Sequence, residues 1–282
     1  MTVVVSFYPL EDIARRVGGT DVQVEDLTPP GVEPHDLELS SDQLDEILDA
    51  DVVLYFGGGF QPAVQDAVQQ RDSGQVTVDV LGALGSAVQP PGPSSEGQET
   101  SDPHVWLDPK LMQRMVGVVV QALDRADSGQ GLERRSDERN HAATAYDRVL
   151  VSLDGEYSRG LTGCSSNVIV MTHAAFGYLA ARYGLRQEPI TGISPEAEPD
   201  PARLAQIEDL VRRDHVTTIF TETLVSPRVA QTIARETGAH TAVLDPIEGL
   251  TASEQARGAD YASIMRRNLG DLRRALGCTG GA

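Results

Sequence analysis

The sequence predicts an α/β protein made of two lobes that a long helix joins. Three observations lead to this prediction. Short β-branched runs alternate with amphipathic segments in both halves of the chain, which is typical of strands followed by helices. The strand-like runs are almost continuously apolar, as in a parallel sheet covered on both faces. Between the halves lies a long stretch without proline that carries apolar residues at helical spacing.

Seven strands are predicted from the β-branched runs. Four lie in the first half, at 3–7, 22–24, 52–56 and 76–80, and three lie in the second, at 168–171, 216–220 and 241–244. Amphipathic helices are predicted between them, among others at 41–50, 201–213 and 228–237.

The middle of the chain predicts one long helix, because no proline occurs between Pro109 and Pro189. An apolar face recurs there at steps of three and four residues, through Ala142, Tyr146, Val149, Leu153 and Tyr157. Such a helix has about 25–30 residues and a length of roughly 40 Å. The predicted division is a first lobe at 1–127, a linker helix at 128–161 and a second lobe at 162–282. A helix inside one large domain is the alternative.

Composition narrows the function classes. The 282 residues are 40% hydrophobic, enough for a globular core. With 23 basic and 42 acidic residues the net charge is −19, which argues against binding to nucleic acid or to an anionic membrane surface. No apolar run approaches the roughly 20 residues of a membrane span. The proline-, glycine- and serine-rich segment 89–101 is predicted to be a mobile polar loop.

The two cysteines, Cys164 and Cys278, stand far apart and form no close pair, which excludes a cysteine zinc site. They form one long-range disulfide if the protein is exported, or they are two free thiols. The sequence alone leaves both possibilities open.

Four side chains are candidate metal ligands because they follow predicted strands or lie in the connecting loops: His35, His104, His173 and Asp245. In open α/β sheets ligands bind beyond the carboxyl ends of the strands, so these residues can converge. Three imidazoles and one carboxylate form a tetrahedral set that suits Zn²⁺, whereas manganese prefers more oxygen donors. The alternative for each histidine is a surface or hydrogen-bonded loop residue. His141, His215 and His240 are poorer candidates.

Carboxylates near these histidines have several interpretations. Glu222 follows the strand at 216–220, where it can orient a ligating imidazole, act as a fifth ligand or cap the next helix; the first role is preferred. The acidic residues beside the histidines are interpreted as loop solvation and helix capping: Glu33, Asp36, Asp102 and Asp108. The glycines at 57–59 are interpreted as a tight strand-to-helix turn in preference to a phosphate cradle, because no Gly-Lys-Ser/Thr follows.

Several motifs together resemble those of the zinc- and manganese-specific solute-binding proteins of bacterial ABC importers. In chain order they are Pro34-His35, the segment DPHVWLDP at 102–109, THAAF at 172–176, EAEP at 196–199, IFTE at 219–222 and LDP at 244–246. The resemblance implies two Rossmann-like lobes, each with a mostly parallel sheet, joined by a long rigid helix, with the metal site in the interlobe cleft. It implies His35, His104, His173 and Asp245 as ligands, the first two from the first lobe and the last two from the second.

The function implied is that of an extracytoplasmic receptor that delivers Zn(II) to an ABC permease in the cytoplasmic membrane. Members that resemble manganese binders usually carry a carboxylate at the position of His173, so the resemblance favours zinc. Many zinc members have a histidine-rich loop before the second ligand, whereas segment 89–101 has no histidine. The expected form is a monomer, periplasmic or anchored to the outer face of the membrane, with its export segment removed.

Other functions remain as alternatives. One is a manganese- or iron-specific binding protein of the same type. A second is a zinc hydrolase that uses His35, His104 and His173 as ligands and Glu222 as general base. A third is an adhesin or another surface interaction protein.

Overall fold

The computed structural model describes residues 1–87, 102–128 and 131–280, and the predicted loop at 89–101 lies outside these residues. The described residues form two compact units. The first contains those of 1–87, 109–151 and Ile247–Tyr261, and the second contains those of 102–108, Ser152–Pro246 and 262–280.

The first unit is built on a four-stranded parallel sheet. Its strands are β1 (Thr2–Val5), β2 (Gln23–Asp26), β3 (Val52–Tyr55) and β4 (Val76–Asp79), in the order β2-β1-β3-β4. The helices are α1 (Tyr8–Gly18), α2 (Ser41–Asp49), α3 (Pro62–Val68), α4 (Val80–Ala83) and α5 (Pro109–Ala126). Val4, Val53 and Ile47 are fully buried in one core that the sheet shares with α2 and α3.

A long helix, α6 (Leu132–Gly160), links the two units. Its 29 residues agree with the length predicted from the sequence, and Tyr146, Leu150, Leu153 and Tyr157 form its buried face. The prediction of a long connecting helix is therefore confirmed.

The second unit repeats the arrangement of the first. Its strands are β5 (Val168–Met171), β6 (Arg186–Pro189), β7 (Thr218–Thr221) and β8 (His240–Val243), all parallel and in the order β6-β5-β7-β8. Its helices are α7 (Gly177–Tyr183), α8 (Pro201–Arg213), α9 (Arg228–Thr237) and most of α11 (Tyr261–Leu276). The short helix α10 (Ala252–Ala256), which precedes α11 in the sequence, belongs to the first unit. Val170, Ile207, Ile219 and Ala230 are buried in its core.

The predicted α/β class with two parallel sheets is confirmed. All seven predicted strands are present, but the structure adds β6. This strand reads Arg-Gln-Glu-Pro and lies at the edge of its sheet, partly exposed, so it lacks the apolar signal on which the prediction relied.

The predicted division runs in chain order, whereas each compact unit combines segments that are distant in the sequence. Contacts between distant residues assign 102–108 to the second unit and Ile247–Tyr261 to the first. In the second unit, the indole Nε1 of Trp106 donates to the carbonyl of Pro246 (2.7 Å), and Arg182 pairs with Asp108. His104 therefore lies in the second unit and not in the first lobe. In the first unit, the segment from Ile247 is joined through a bond from the amide of Gly31 to the carbonyl of Leu250 (2.9 Å).

Cys164 and Cys278 form a disulfide across 114 residues, which answers the question that the sequence left open. We expect the double substitution C164S/C278S to lower the free energy of unfolding by about 2–4 kcal/mol, because the unfolded chain loses a constraint on a long loop. Chemical denaturation of the two proteins measures the difference. An unchanged denaturation midpoint in the variant contradicts the expectation.

Burial raises the pKa of Asp26, at the end of β2, well above its ordinary value. Because the folded-state pKa is the higher one, the benefit of the protonated carboxyl is complete below the unfolded pKa and is lost as pH rises through the folded value. We expect D26N to raise the free energy of unfolding at pH 7, because the neutral amide avoids the cost of holding a charged carboxylate in this buried position. Thermal unfolding from pH 3 to 8 measures the gain, with exposed Asp66→Asn as the control. A gain that does not decline in acid contradicts the assignment.

Among the described residues, no helix combines the length and the apolar character that crossing a bilayer requires.

Candidate metal centre

Two histidines of the second unit meet at the carboxyl edge of its sheet. His173 lies two residues beyond β5, and His104 precedes the short 3-10 turn Val105–Leu107. Both side chains are fully buried, and their Nε2 atoms lie 3.3 Å apart. Two nitrogens bound to one tetrahedral zinc at 2.0–2.1 Å are about 3.3 Å apart, so this spacing suits a pair of ligands.

Each of these imidazoles has a carboxylate at its other nitrogen. The Nδ1 atom of His104 lies 2.7 Å from Oδ1 of Asp102, which also accepts a hydrogen bond from the His104 amide (3.0 Å). The Nδ1 atom of His173 lies 2.7 Å from Oε2 of Glu222, whose Oε1 accepts from the His173 amide (3.2 Å) and from the Thr172 hydroxyl. A carboxylate at Nδ1 favours a proton there, which leaves the Nε2 lone pair for a metal.

The carboxylates also make the Nε2–Nε2 contact informative. With a proton on both Nδ1 atoms, both Nε2 atoms are acceptors that face each other, and neither can donate a hydrogen bond to the other. Such a contact is repulsive until a cation lies between the two lone pairs. The second unit therefore presents two pre-oriented donors for a transition metal.

The first unit carries a second pair of donors. The side chains of His35 and Glu248 are 8% and 1% exposed, and Nε2 of His35 lies 3.5 Å from Oε1 of Glu248. The amide of His35 donates to Oε2 of Glu33 (2.9 Å), and its ring packs in a T-shaped arrangement with the ring of Phe60, with centroids 4.6 Å apart. This packing limits the rotation of the His35 ring.

The glycines at 57–59 explain how Phe60 reaches His35. Gly58 and Gly59 have φ of 70° and 86°, so the chain turns tightly between β3 and α3. The amide of Gly57 donates to Oδ1 of Asp79 (2.9 Å), where any added side chain would collide with the carboxylate. The interpretation as a tight turn is confirmed.

Glu248 follows an unusual turn. Ile247 is fully buried and has φ of 57°, a left-handed conformation that is an outlier for a β-branched residue. Such strain costs on the order of 1–3 kcal/mol and is often found at functional sites. The turn begins at Pro246, directly after the predicted ligand Asp245.

The predicted fourth ligand, Asp245, has other partners. Its Oδ2 atom lies 2.7 Å from Nη2 of Arg267, its amide donates to Oδ1 of Asn268 (3.0 Å), and its carbonyl accepts from Nδ2 of Asn268 (2.7 Å). The carboxylate of Asp245 thus pairs with Arg267, and Glu248 is the carboxylate that lies beside His35. The role of Asp245 as a ligand stays a prediction.

The remaining histidines lie elsewhere on the surface. His141, His215 and His240 are all exposed, and His240 begins β8, at the opposite end of the strand from Asp245. Two carboxylates beside these histidines are absent from the set predicted from the sequence: Asp102, next to His104, and Glu248, next to His35. The sequence interpretation treats Asp102 as a solvated loop residue, although it lies two positions before His104, and it does not include Glu248.

These features define a class of protein. The fold has two α/β units that a long helix links, and buried imidazoles and carboxylates lie beyond the strands. This combination is that of a two-lobed metal-binding protein. The chain belongs to the ZnuA family, described as zinc-uptake complex component A, periplasmic, whose model matches residues 3–275.

Curated relatives carry zinc in their names. The chain is 34% identical over 283 residues to the zinc-binding lipoprotein AdcA of Streptococcus pneumoniae strain R6, covering 97% of this chain and 55% of AdcA. It is 32% identical to the high-affinity zinc uptake system protein ZnuA of Bacillus subtilis, covering 97% of this chain and 87% of that protein. The chain thus spans about half the length of the first relatives that it matches.

Solved structures share the fold over 98–100% of this chain. The metal-dependent lipoprotein YcdH of Bacillus subtilis matches with a TM-score of 0.82 at 33% identity, covering 98% of this chain and 99% of that one. Zn(II)-bound AdcA of Streptococcus pneumoniae matches with a TM-score of 0.82 at 33% identity, covering 100% of this chain and 59% of that one.

Proposed function

We propose that this chain is an extracytoplasmic receptor that binds Zn(II) and delivers it to an ABC-type permease in the cytoplasmic membrane. The observation that carries the proposal is the 3.3 Å between the Nε2 atoms of His104 and His173, each with a carboxylate at its other nitrogen. The family and the names of its relatives support the same metal and the same role.

The proposed ligand set has four members. Zinc takes four donors, and His104 with His173 supplies two of them. The first unit offers a second pair, so we propose that His35 and Glu248 complete the set. Asp245, the ligand predicted from the sequence, is the alternative to Glu248. Three imidazoles with one carboxylate favour zinc over manganese, which prefers more oxygen donors.

A hydrolase is not favoured, because Glu222 is on the wrong side of the imidazole for a general base. Its carboxylate lies at Nδ1 of His173 and accepts from Thr172, whereas the metal-binding lone pair is on Nε2. We propose that Glu222 orients His173 and that the protein binds and releases the ion without bond chemistry. The periplasmic or lipid-anchored placement and the monomeric state are part of the same proposal.

Metal analysis tests the binding step. We expect the purified chain to bind one zinc per molecule and to retain it against equal concentrations of Mn(II) and Fe(II) in a competition titration. Preference for manganese or iron contradicts the assignment of the metal.

Growth tests the delivery step. Deletion of the gene in its host should raise the zinc concentration needed for growth, and the wild-type gene should restore it. The double variant H104A/H173A should not. Restoration by this variant overturns the proposed role in zinc uptake.

A further inference from the structure

We propose that Gly177 is a positioning residue for zinc binding, because its lack of a side chain leaves room for the Asp102 carboxylate that orients His104. This inference rests on the proposed function, and it assigns a role to a residue that cannot touch the metal. Gly177 is the first residue of α7, and Asp102 precedes His104 by two positions.

The backbone does not explain the glycine at this position. Gly177 is not among the described residues with positive φ, so its conformation admits any side chain. Space is the constraint: a Cβ atom at Gly177 would lie 2.8 Å from Oδ2 of Asp102 and 3.7 Å from Nε2 of Gln187. The first distance is below any normal contact of a Cβ atom, so a side chain here must displace the carboxylate.

Asp102 cannot move without losing its contacts with His104. Its Oδ1 atom lies 2.7 Å from Nδ1 of His104 and accepts from the His104 amide at 3.0 Å. Its backbone is also held, because the hydroxyl of Tyr178, the next residue of α7, donates to the Asp102 carbonyl (3.1 Å). A rotation that moves Oδ2 away from residue 177 also moves Oδ1 away from the imidazole.

The effect on zinc binding depends on which nitrogen of the His104 ring carries the proton. The carboxylate of Asp102 favours the tautomer with the proton on Nδ1, so Nε2 keeps its lone pair for the metal. When the carboxylate is displaced, this preference and the ring orientation are lost. Loss of such a partner typically weakens metal binding by about 10–100-fold.

A double-mutant cycle tests the mechanism. We expect G177A to weaken zinc binding by about 10–100-fold in a chelator competition. D102A should weaken it by a similar factor, and G177A/D102A should bind like D102A because no carboxylate is left to displace. The control is G192A in the same unit, where an added Cβ atom meets nothing within 4 Å, and it should bind like wild type.

A measurement without metal separates positioning from a general loss of structure. In the metal-free protein above pH 8, ¹⁵N NMR of the His104 ring should show the proton on Nδ1 in wild type and G192A, with a shift towards Nε2 in G177A. If G177A does not fold, thermal unfolding of G177A/D102A gives the answer. This double variant should be as stable as D102A, since removal of the carboxylate makes room for the methyl group.

The outcomes distinguish the two proposals. Failure of the wild-type protein to bind zinc overturns the proposed function. Zinc binding by wild type, together with wild-type affinity and tautomer in G177A, overturns the role of Gly177. Losses that multiply in G177A/D102A, or a double variant less stable than D102A, also overturn it.

Discussion

Replacement of His173 with alanine is expected to reduce zinc affinity by more than about 100-fold, since even partners that only orient a ligand contribute about 10–100-fold. The substitution removes one of the two Nε2 donors of the second unit. It also leaves the Glu222 carboxylate buried without the imidazole at 2.7 Å. A titration of zinc-loaded protein with a chelator of known affinity measures the loss, and H104A should behave in the same way.

The matched control is His141→Ala, because this histidine is exposed on α6. Its substitution removes an imidazole of the same chemistry from the same chain, so it corrects for nonspecific binding to surface histidines. We expect H141A to retain zinc like wild type. Equal retention by H173A and H141A would contradict the assignment of His173 as a ligand.

The histidine ligands can be predicted from the sequence for a physical reason. The chain has only six, and those that follow strands of a parallel sheet lie at the edge where ligands bind. His173, two residues after the end of β5, is such a case. The sequence predicts His104 as a ligand but places it in the first lobe. The neighbouring Trp106 and Asp108 contact Pro246 and Arg182 of the second unit, each more than 70 residues away in the sequence.

The carboxylate ligand is harder to predict from the sequence than the histidines. Among 42 acidic residues, composition distinguishes none. Asp245 directly follows a run of strand-forming residues and therefore stood out. Glu248 lies three positions later, after a left-handed turn at Ile247, and a β-branched residue is one that sequence rules do not expect in that conformation.

The sheets show the same limit of pattern recognition. Buried strands such as β5, with four buried apolar residues, can be recognised from the sequence alone. The edge strand β6 is polar and forms because β5 offers it a register of parallel hydrogen bonds, from Val168 opposite Arg186 to Met171 opposite Pro189. That information lies in the neighbouring strand and not in the local sequence.

Replacing Glu248 with glutamine is expected to weaken zinc binding by about 100-fold, because an amide oxygen is a neutral and weaker donor than a carboxylate. The change preserves the size of the side chain, and His35 keeps its packing against Phe60. Chelator competition at pH 7.5 measures the affinity, and zinc analysis after dialysis gives the stoichiometry.

Asp245→Asn is the decisive comparison, because it removes one carboxylate charge three residues away in the same segment. Asp245 is directed to Arg267 and bonded through its backbone to Asn268, so we expect D245N to lower the unfolding temperature of the metal-free protein. Its zinc affinity should stay within about threefold of wild type, since no donor to the metal is lost. If D245N abolishes zinc binding while E248Q retains it, the ligand set predicted from the sequence is correct and Arg267 must release Asp245 when the ion binds.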